Sequence, residues 1–426
     1  MVLQEGALLD YLNVLDNVKL VCRQNHISKQ EHELLSLLAS LNIDAGVAAQ
    51  SIASLSGGQM RRVAVARALL LAPDIILFDE PDAGLDLVNL SNLADVISSL
   101  VASGKACLTI SHNPIYIANT ATKVFRLLDG KLSLLVDWGE VARDQHAALE
   151  RQTQLQALLY ESTAPAAVVK QAHPPVRNWL FIGWFKSIGA NLIDMASWPR
   201  NVFDSAASFA RVYWLASLSG ILFFAIVGLM LGATTLAVVK LLSDLSLKGI
   251  ISWFIAPEDL VDMMGGRFAL YLAPAVGAML FAARSGSLVA NWLGELHRSK
   301  QIAGLKHLRV PVHSFLYTPS LLAMLLGGVT TILLFAAAIW SGGLLAASHF
   351  FALPDPLNTL AINQRDLDQS QFILKCAIYS GITALTTIAH ATLSKQDSRD
   401  VNAHTTATIV YSTVLVAIAE LSIILL

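Results

Sequence analysis

The hydrophobic pattern divides the chain into two parts of different character. From about residue 205 onward, long apolar runs follow one another at 212–239, 265–293, 314–348, 372–393 and 405–426. A helix needs about 20 predominantly apolar residues to cross a bilayer. The pattern therefore predicts five membrane-spanning helices. The third run is long enough to be tilted, kinked near Gly327 and Gly328, or partly re-entrant.

In the first part of the chain the hydrophobic segments are shorter. Residues 29–41 repeat apolar positions at helical spacing, and the β-rich run 75–78 predicts a buried strand. Two further strands, 123–127 and 132–136, flank a turn. We expect an α/β domain at 1–137, with a helix and an Ala/Pro-rich linker at 138–175. An interfacial amphipathic helix with five tryptophan and phenylalanine residues is expected at 176–200, and a membrane domain at 205–426.

Composition supports a protein that lies largely in lipid. Of its residues, 55% are hydrophobic and only 14% are charged, against about 25% charged in soluble domains. The net charge of −2 gives no indication of a nucleic-acid partner. The three cysteines are scattered and form neither a disulfide framework nor a metal-binding spacing.

Candidate chemistry is concentrated between residues 55 and 112. Ser56, Gly57 and Gly58 precede a helix of good helix formers, where free N–H groups and the helix dipole attract phosphate. Asp79 ends a strand and can hold Mg²⁺ through water, while Glu80 can polarise an attacking water. A turn at Gly84-Leu85-Asp86 follows, and a second apolar run ends at His112, which can touch a γ-phosphate. Each feature alone arises by chance; all four in this order are specific.

This stretch resembles the ATPase domain of ABC transporters. The matching residues are Ser56, Gly57, Gly58 and Gln59 in the signature loop, Asp79 and Glu80 in the Walker B strand, Asp86 in the D-loop, His112 as the switch histidine and Gln4 as the Q-loop glutamine. The resemblance implies ATP as the ligand, with Mg²⁺ held by Asp79 and Gln4. It also implies a homodimer, because each signature loop faces the nucleotide of the other subunit.

The phosphate-binding half of such a site is missing from the sequence. No G-x-x-x-x-G-K-[ST] motif occurs anywhere in the chain. One explanation is an N-terminally truncated ATPase domain. The other is a natural but degenerate domain that lends its signature loop to a partner's phosphate cradle. On either explanation we expect little or no ATPase activity from this chain alone.

The loops between the apolar runs predict their orientation. Residues 295–312 contain four lysine and arginine residues against one acid, whereas the loops near 240–262 and 349–371 are mainly acidic. By the positive-inside rule, the basic loop is cytoplasmic and the acidic loops are outside. The cytoplasmic side is also where ATP chemistry has to occur.

A second resemblance covers residues from about 175 to the end. The pattern of Pro274, Val276, Leu280, Ala282, Arg284, Gly286 and Ser287 is similar to that of the MlaE family, the permeases of Mla/Mce-type lipid transporters. Gly228 and Gly232 fit the small-xxx-small span before it. The chain departs from the family where Trp292, Lys300 and Lys306 replace expected acidic residues, and where leucine or tyrosine replaces the glutamate before the Ala-Pro pair.

Several polar residues fall inside the predicted spans. Arg284 is either paired structurally or functional, because a charge there is costly. Glu420 would need a partner. Lys375 is expected to extend its amine to the membrane interface, and His390 and His404 are expected at helix ends rather than as ligands.

The predicted fold is therefore a partial α/β P-loop NTPase (ABC) domain followed by an all-α membrane domain of about five helices. The resemblances imply a subunit, at the bacterial inner membrane, that binds ATP and moves phospholipid or a related amphiphile, with an Mce-domain periplasmic partner. The alternatives are a non-hydrolysing regulatory or scaffold subunit and an exporter of another hydrophobic substrate.

Overall fold

The computed structural model describes residues 7–83, 87–128, 130–139, 145–160, 202–244, 269–350, 369–393, 395 and 397–425. The chain forms two compact units. The first comprises Met1–Asn178 and Ser299–Val312, and the second comprises Trp179–Arg298 and His313–Leu426. The predicted interfacial helix at 176–200, the linker before it and most of both acidic loops lie outside the described residues.

The first unit contains short helices and four strands. In chain order these are α1 (Val14–Gln24), α2 (Glu31–Ser40), α3 (Ala45–Ala48), α4 (Gly57–Leu69), β1 (Ile75–Asp79), α5 (Leu87–Ala102), β2 (Ala106–Ile110), α6 (Pro114–Thr120), β3 (Lys123–Leu128), β4 (Lys131–Asp137) and α7 (Gln145–Tyr160). A short helix, α12 (Gln301–His307), also belongs to this unit. The predicted helix at 29–41 and the two strands around Gly130 are therefore present.

The two sheets each contain two strands within the described residues. β1 and β2 are parallel, with Ile75 opposite Ala106 and Asp79 opposite Ile110, and α5 connects them. β3 and β4 form an antiparallel hairpin whose turn includes Gly130 at φ +74°. Such a φ is readily adopted by glycine.

The expectation of a buried strand at 75–78 is wrong for one face of β1. Ile76 and Phe78 are buried, but Ile75 is 64% exposed and its neighbour across the sheet, Leu108, is 60% exposed. Side chains alternate between the faces of a strand, and no described element covers the face that carries Ile75. An apolar run of four residues cannot by itself show whether both faces of a strand are covered.

The second unit contains the membrane helices. They are α8 (Val202–Ala216), α9 (Ile221–Asp244), α10 (Ala269–Phe281), α11 (Ser287–Arg298), α13 (Thr318–Phe350), α14 (Gln369–Thr392) and α15 (Ser398–Leu425). These helices provide five apolar segments long enough to cross a membrane: Ser205–Val238, Leu272–Arg298, His313–His349, Ser370–Thr392 and Ser398–Leu425. The prediction of five spans is confirmed.

Three of the spans contain irregular turns. The first changes from α8 to α9 through a 3₁₀ turn at Leu218–Gly220, and π turns lie at Ala282–Gly286 and His313–Tyr317. Beyond its π turn, the third span continues as α13 through Gly327 and Gly328 without interruption. The re-entrant alternative for this span is therefore wrong.

Glycines bring α9 and α13 into close contact. A Cβ atom on Gly228 would lie 2.8 Å from the Ala338 Cβ, and one on Gly232 would overlap the carbonyl oxygen of Ile339. On the facing helix, a Cβ on Gly342 would overlap the Leu229 carbonyl. Small residues allow backbones to approach in this way in lipid, where the hydrophobic effect does not draw helices together. The predicted packing role of Gly228 and Gly232 is confirmed.

Gly342→Ala should destabilise the membrane unit, because the new methyl group would push α13 away from α9. Overpacking of this kind costs about 1–3 kcal/mol, so we expect a lower midpoint of thermal unfolding in detergent. Gly343→Ala is the matched control, since the nearest atom to a Cβ there is 3.7 Å away. Equal midpoints for the two variants would contradict the close contact.

Candidate functional site

The predicted phosphate-binding loop forms the start of α4. Ser56 is the N-cap, and its Oγ accepts a hydrogen bond of 3.2 Å from the Gln59 N–H. In turn, the Gln59 Oε1 accepts a hydrogen bond from the Ser56 N–H at 2.9 Å. This capping box fixes the first turn of a helix that begins with two glycines. A Cβ on Gly57 would have no atom within 4 Å, so the backbone of Gly57 is accessible to a ligand.

The carboxyl ends of β1 and β2 bring Glu80 and His112 together. Because the strands are parallel and Asp79 pairs with Ile110, both strands end at the same edge of the sheet. The Glu80 N–H donates to the Ile110 carbonyl at 2.9 Å, and the Glu80 Oε1 lies 3.2 Å from the His112 Nε2. The His112 side chain is 86% exposed. A carboxylate and an imidazole at this distance can share or transfer a proton.

The backbone of Glu80 has an uncommon conformation. Its φ is +45°, in the left-handed region that non-glycine residues rarely adopt. The carboxylate is therefore presented from a turn that the fold holds in place, partly through the bond to the Ile110 carbonyl.

Arg61 connects the helix of the signature loop to the turn after Glu80. Its Nη2 donates to the Ala83 carbonyl. Burial lowers the pKa of Arg61, and the charge of Asp82 partly opposes this. Sequence reasoning did not identify Arg61. Its position two residues after the signature loop was the available signal, but the partner lies across the unit.

A cavity of about 530 Å³ lies beside the signature loop. It is lined by residues of the loop and its helix, of the segment after Ala7 and of α12, among them Asp10, Leu55, Gly57, Arg61 and Gln301. The signature loop and α12 thus share one concave surface.

The other predicted ATPase residues fall into two groups. Gly58 lies in the first turn of α4 beside Gly57, and Asp79 is the last residue of β1. Gln4 and Asp86, with Gly84 and Leu85, lie outside the described residues. Three described features fit one half of a nucleotide site: the open glycine turn, a carboxylate at a strand end and a neighbouring Glu–His pair.

In the membrane unit, Glu420 has two partners. Its carboxylate lies 2.7 Å from the Lys375 Nζ and accepts a hydrogen bond from the Tyr379 hydroxyl. The side chains of Lys375 and Glu420 are only 7% and 12% exposed. The expectation that Lys375 reaches the membrane interface is wrong, because an acid on α15 is close enough to bind its amine inside the protein.

Arg284 lies in the π turn of the second span and contacts the 3₁₀ turn of the first. Its Nη2 donates to the Ser219 carbonyl at 2.6 Å, and the guanidinium carbon lies 6.0 Å from the Phe223 ring centre. The adjacent Ser285 Oγ donates to the Ala216 carbonyl at 2.5 Å. The carbonyls of Ala216 and Ser219, beside and within the 3₁₀ turn, thus each accept a hydrogen bond from the second span.

Comparison with known proteins agrees with both halves of the chain. Residues 209–426 match the family model described as Permease MlaE, and residues 1–83 match the ABC transporter model. The intermembrane phospholipid transport system ATP-binding protein MlaF of Escherichia coli (strain K12) is 36% identical over 137 residues, covering 31% of this chain and 50% of that protein. The glutamate transport ATP-binding protein GluA of Corynebacterium glutamicum is 38% identical over 133 residues, covering 30% and 54%.

The chain spans about half the length of the curated relatives it matches. Among solved structures, a dimer of the ATP-binding cassette MJ0796 in a post-hydrolysis state with ADP and Pi is 27% identical. The match covers 32% of this chain and 62% of that one, with a TM-score of 0.28.

Removing one member of the Lys375–Glu420 pair should strongly destabilise the membrane unit. Breaking a buried pair leaves an uncompensated charge and costs about 3–5 kcal/mol. We therefore expect Lys375→Met and Glu420→Leu each to lower the unfolding midpoint in detergent. The double variant is the control and should recover much of the loss, because neither charge then remains. A double variant less stable than both single variants would contradict the pairing.

Proposed function

Because this chain belongs to the MlaE permease family and begins with part of an ABC transporter ATPase, we propose that it is an ATP-binding and permease subunit that moves phospholipid or a related amphiphile. The observation that carries the proposal is the position of 299–312 in the fold. The chain on either side of this segment belongs to the membrane unit, whereas the segment itself packs within the ATPase unit. One polypeptide would therefore carry both of the proposed activities.

Two contacts hold this segment to the ATPase residues. The Asn25 Nδ2 donates to the Leu308 carbonyl at 2.9 Å. A Cβ on Gly304 would overlap that of Ala7, so the absence of a side chain at 304 allows the two backbones to approach closely.

Ala7 is itself fixed by the helix of the signature loop. The Nη1 of Arg67, on α4, donates to the Ala7 carbonyl at 2.8 Å. Arg67 is almost fully buried, and burial lowers its pKa to about 10, so the side chain stays charged at neutral pH. A displacement of α4 on nucleotide binding would thus be passed through Ala7 to Gly304 and the membrane helices.

The ATPase residues have complementary roles in this proposal. Gly57 and Gly58 offer backbone N–H groups to a phosphate, with Ser56 and Gln59 holding the turn open for it. Glu80 orients the attacking water and His112 contacts the terminal phosphate. Asp79, with Gln4, would hold Mg²⁺, which when bound neutralises phosphate charge. Two copies of the chain pair, and Asp86, which lies outside the described residues, is a further candidate nucleotide-binding residue.

The charge of the segment 299–312 supports an orientation for the protein in the membrane. Residues 299–312 carry Lys300, Lys306 and Arg309, and basic loops remain on the cytoplasmic side. We assign the protein to the bacterial inner membrane as a multi-pass subunit with a cytoplasmic ATPase domain. An Mce-domain protein would receive or deliver the lipid outside. MlaF, the relative from Escherichia coli, is named for an intermembrane phospholipid transport system.

A regulatory or scaffold role is the second candidate. Such a role would need the signature loop at Ser56–Gln59 but no hydrolysis by this chain. An exporter of another hydrophobic compound would use the same membrane helices.

The function is tested by measuring ATP turnover and bound lipid on the full chain in nanodiscs. We expect phospholipid to co-purify, and we expect little or no ATP turnover from this chain alone because its 426 residues contain no lysine-bearing phosphate loop. Glu80→Gln is the matched control, since it keeps the shape of the side chain. Robust turnover that Glu80→Gln abolishes would refute the second expectation, and purification without phospholipid but with another hydrophobic compound would favour an exporter.

Gly304→Leu should release α12 from the ATPase residues, because its side chain cannot fit beside Ala7. Hydrogen–deuterium exchange on the purified chain should then rise in peptides covering 7–12 and 301–308. His307→Leu is the control, since His307 lies exposed on the same helix. Unchanged exchange in the Gly304 variant would contradict the role of this contact.

A further inference from the structure

Arg284 is a charged residue near the middle of an apolar span. It lies close to the centre of Leu272–Arg298, so about 20 Å of helix extends on either side at a rise of about 1.5 Å per residue. A charged residue at this depth is costly, and it usually faces a partner or a functional site.

The contacts of Arg284 neutralise none of its charge. Its hydrogen-bonding partners are the Ser219 carbonyl at 2.6 Å, the Ser219 Oγ at 3.2 Å and the Ser285 Oγ at 3.5 Å. All three are uncharged oxygens. Among the residues that the structure describes, none of the ion pairs involves Arg284. Lys375, by contrast, is paired with Glu420.

The Arg284 guanidinium has more N–H donors than these contacts use. The three contacts use at most three of its five N–H groups. Within the described residues, the N–H groups left over are one on Nε and one on Nη1, and each can donate a charge-assisted hydrogen bond to an anionic ligand.

The surrounding backbone holds this group in place and leaves it accessible. Gly220 has no side chain, and a Cβ there would overlap the Arg284 Nη1. Ser219 and Phe223, which the guanidinium also contacts, are exposed on the surface of the membrane unit, and Arg284 itself is half-buried. A ligand can thus reach the guanidinium from the outside of this unit without a rearrangement of the helices.

We propose that the Arg284 guanidinium binds the phosphate group of the transported amphiphile during its passage through the membrane. A guanidinium forms strong charge-assisted hydrogen bonds with phosphate, and its weak hydration lowers the cost of removing it from water. The phosphate would supply the negative charge that the described residues do not. This inference rests on the proposed function and adds to it a residue and a recognised chemical group.

The test compares a lipid that carries a phosphate group with one that does not. The full chain in detergent is heated with phosphatidylglycerol, with diacylglycerol of the same acyl chains, or with inorganic phosphate. We expect phosphatidylglycerol to raise the unfolding midpoint by several degrees more than diacylglycerol does. Arg284→Met should abolish that difference, and Arg284→Lys, which keeps a charge but no planar fork, should retain part of it.

Ser285→Ala is the matched control. It removes the hydrogen bond to the Ala216 carbonyl and the longest guanidinium contact, at 3.5 Å, but keeps both contacts of Arg284 with Ser219. The difference between the two lipids should therefore persist although the midpoint itself falls. If Arg284→Met does not fold, the Arg284→Lys and Ser285→Ala pair still separates loss of phosphate recognition from loss of structure.

The remaining outcomes count against the proposal. A full lipid difference in Arg284→Met would overturn it, as would an equal shift from inorganic phosphate alone, which would indicate a general anion site. A variant that becomes monomeric yet keeps the lipid difference would assign the guanidinium to a subunit contact. Equal stabilisation of the wild type by both lipids would overturn this inference but not the proposed function, whereas no stabilisation by either would overturn both.

Discussion

The hydrocarbon of a bilayer offers no hydrogen-bond partners, and this constraint explains most of the polar contacts in the membrane unit. Each group that a regular helix does not satisfy must be satisfied by another helix. The carbonyls near the 3₁₀ turn at Leu218–Gly220 are met in this way by Ser285 and Arg284. Ser217 contacts Thr330 and Thr331 on α13. The irregular turns of neighbouring spans therefore depend on each other.

The first unit is organised by the capping of its helices instead. Its helices begin at side-chain caps such as Ser56 and Asn13, because the first N–H groups of a helix need acceptors. A buried Asn17 fixes the segment after Ala7, since it donates to and accepts from the backbone of Leu9. This rigid segment is the surface on which α12 packs, so local capping and long-range coupling are parts of one arrangement.

The sequence could predict features that depend on composition and local order. Five spans follow from length and hydrophobicity, and the approach of Glu80 to His112 follows from the parallel order of two strands that both end at the same sheet edge. The open turn at Gly57 follows from two glycines before a helix. These features need only neighbouring residues or a known strand order.

Features that depend on how distant elements meet were not predictable. Lys375 was expected at the interface because nothing in its own helix indicates Glu420, 45 residues away, as a partner. Asn25 and Leu308 are separated by 283 residues, and no local pattern connects them. The one-sided exposure of β1 likewise depends on which elements pack over the sheet. The 3₁₀ turn near Ser219 has no proline to mark it.

The positive φ of Glu80 also has an energetic consequence. A left-handed backbone costs an ordinary residue about 1–2 kcal/mol, whereas glycine adopts it freely. Stability alone would thus favour glycine at this position, but glycine would remove the carboxylate beside His112. The acidic group beside His112 is therefore held in a backbone conformation that lowers the stability of the folded state at this position.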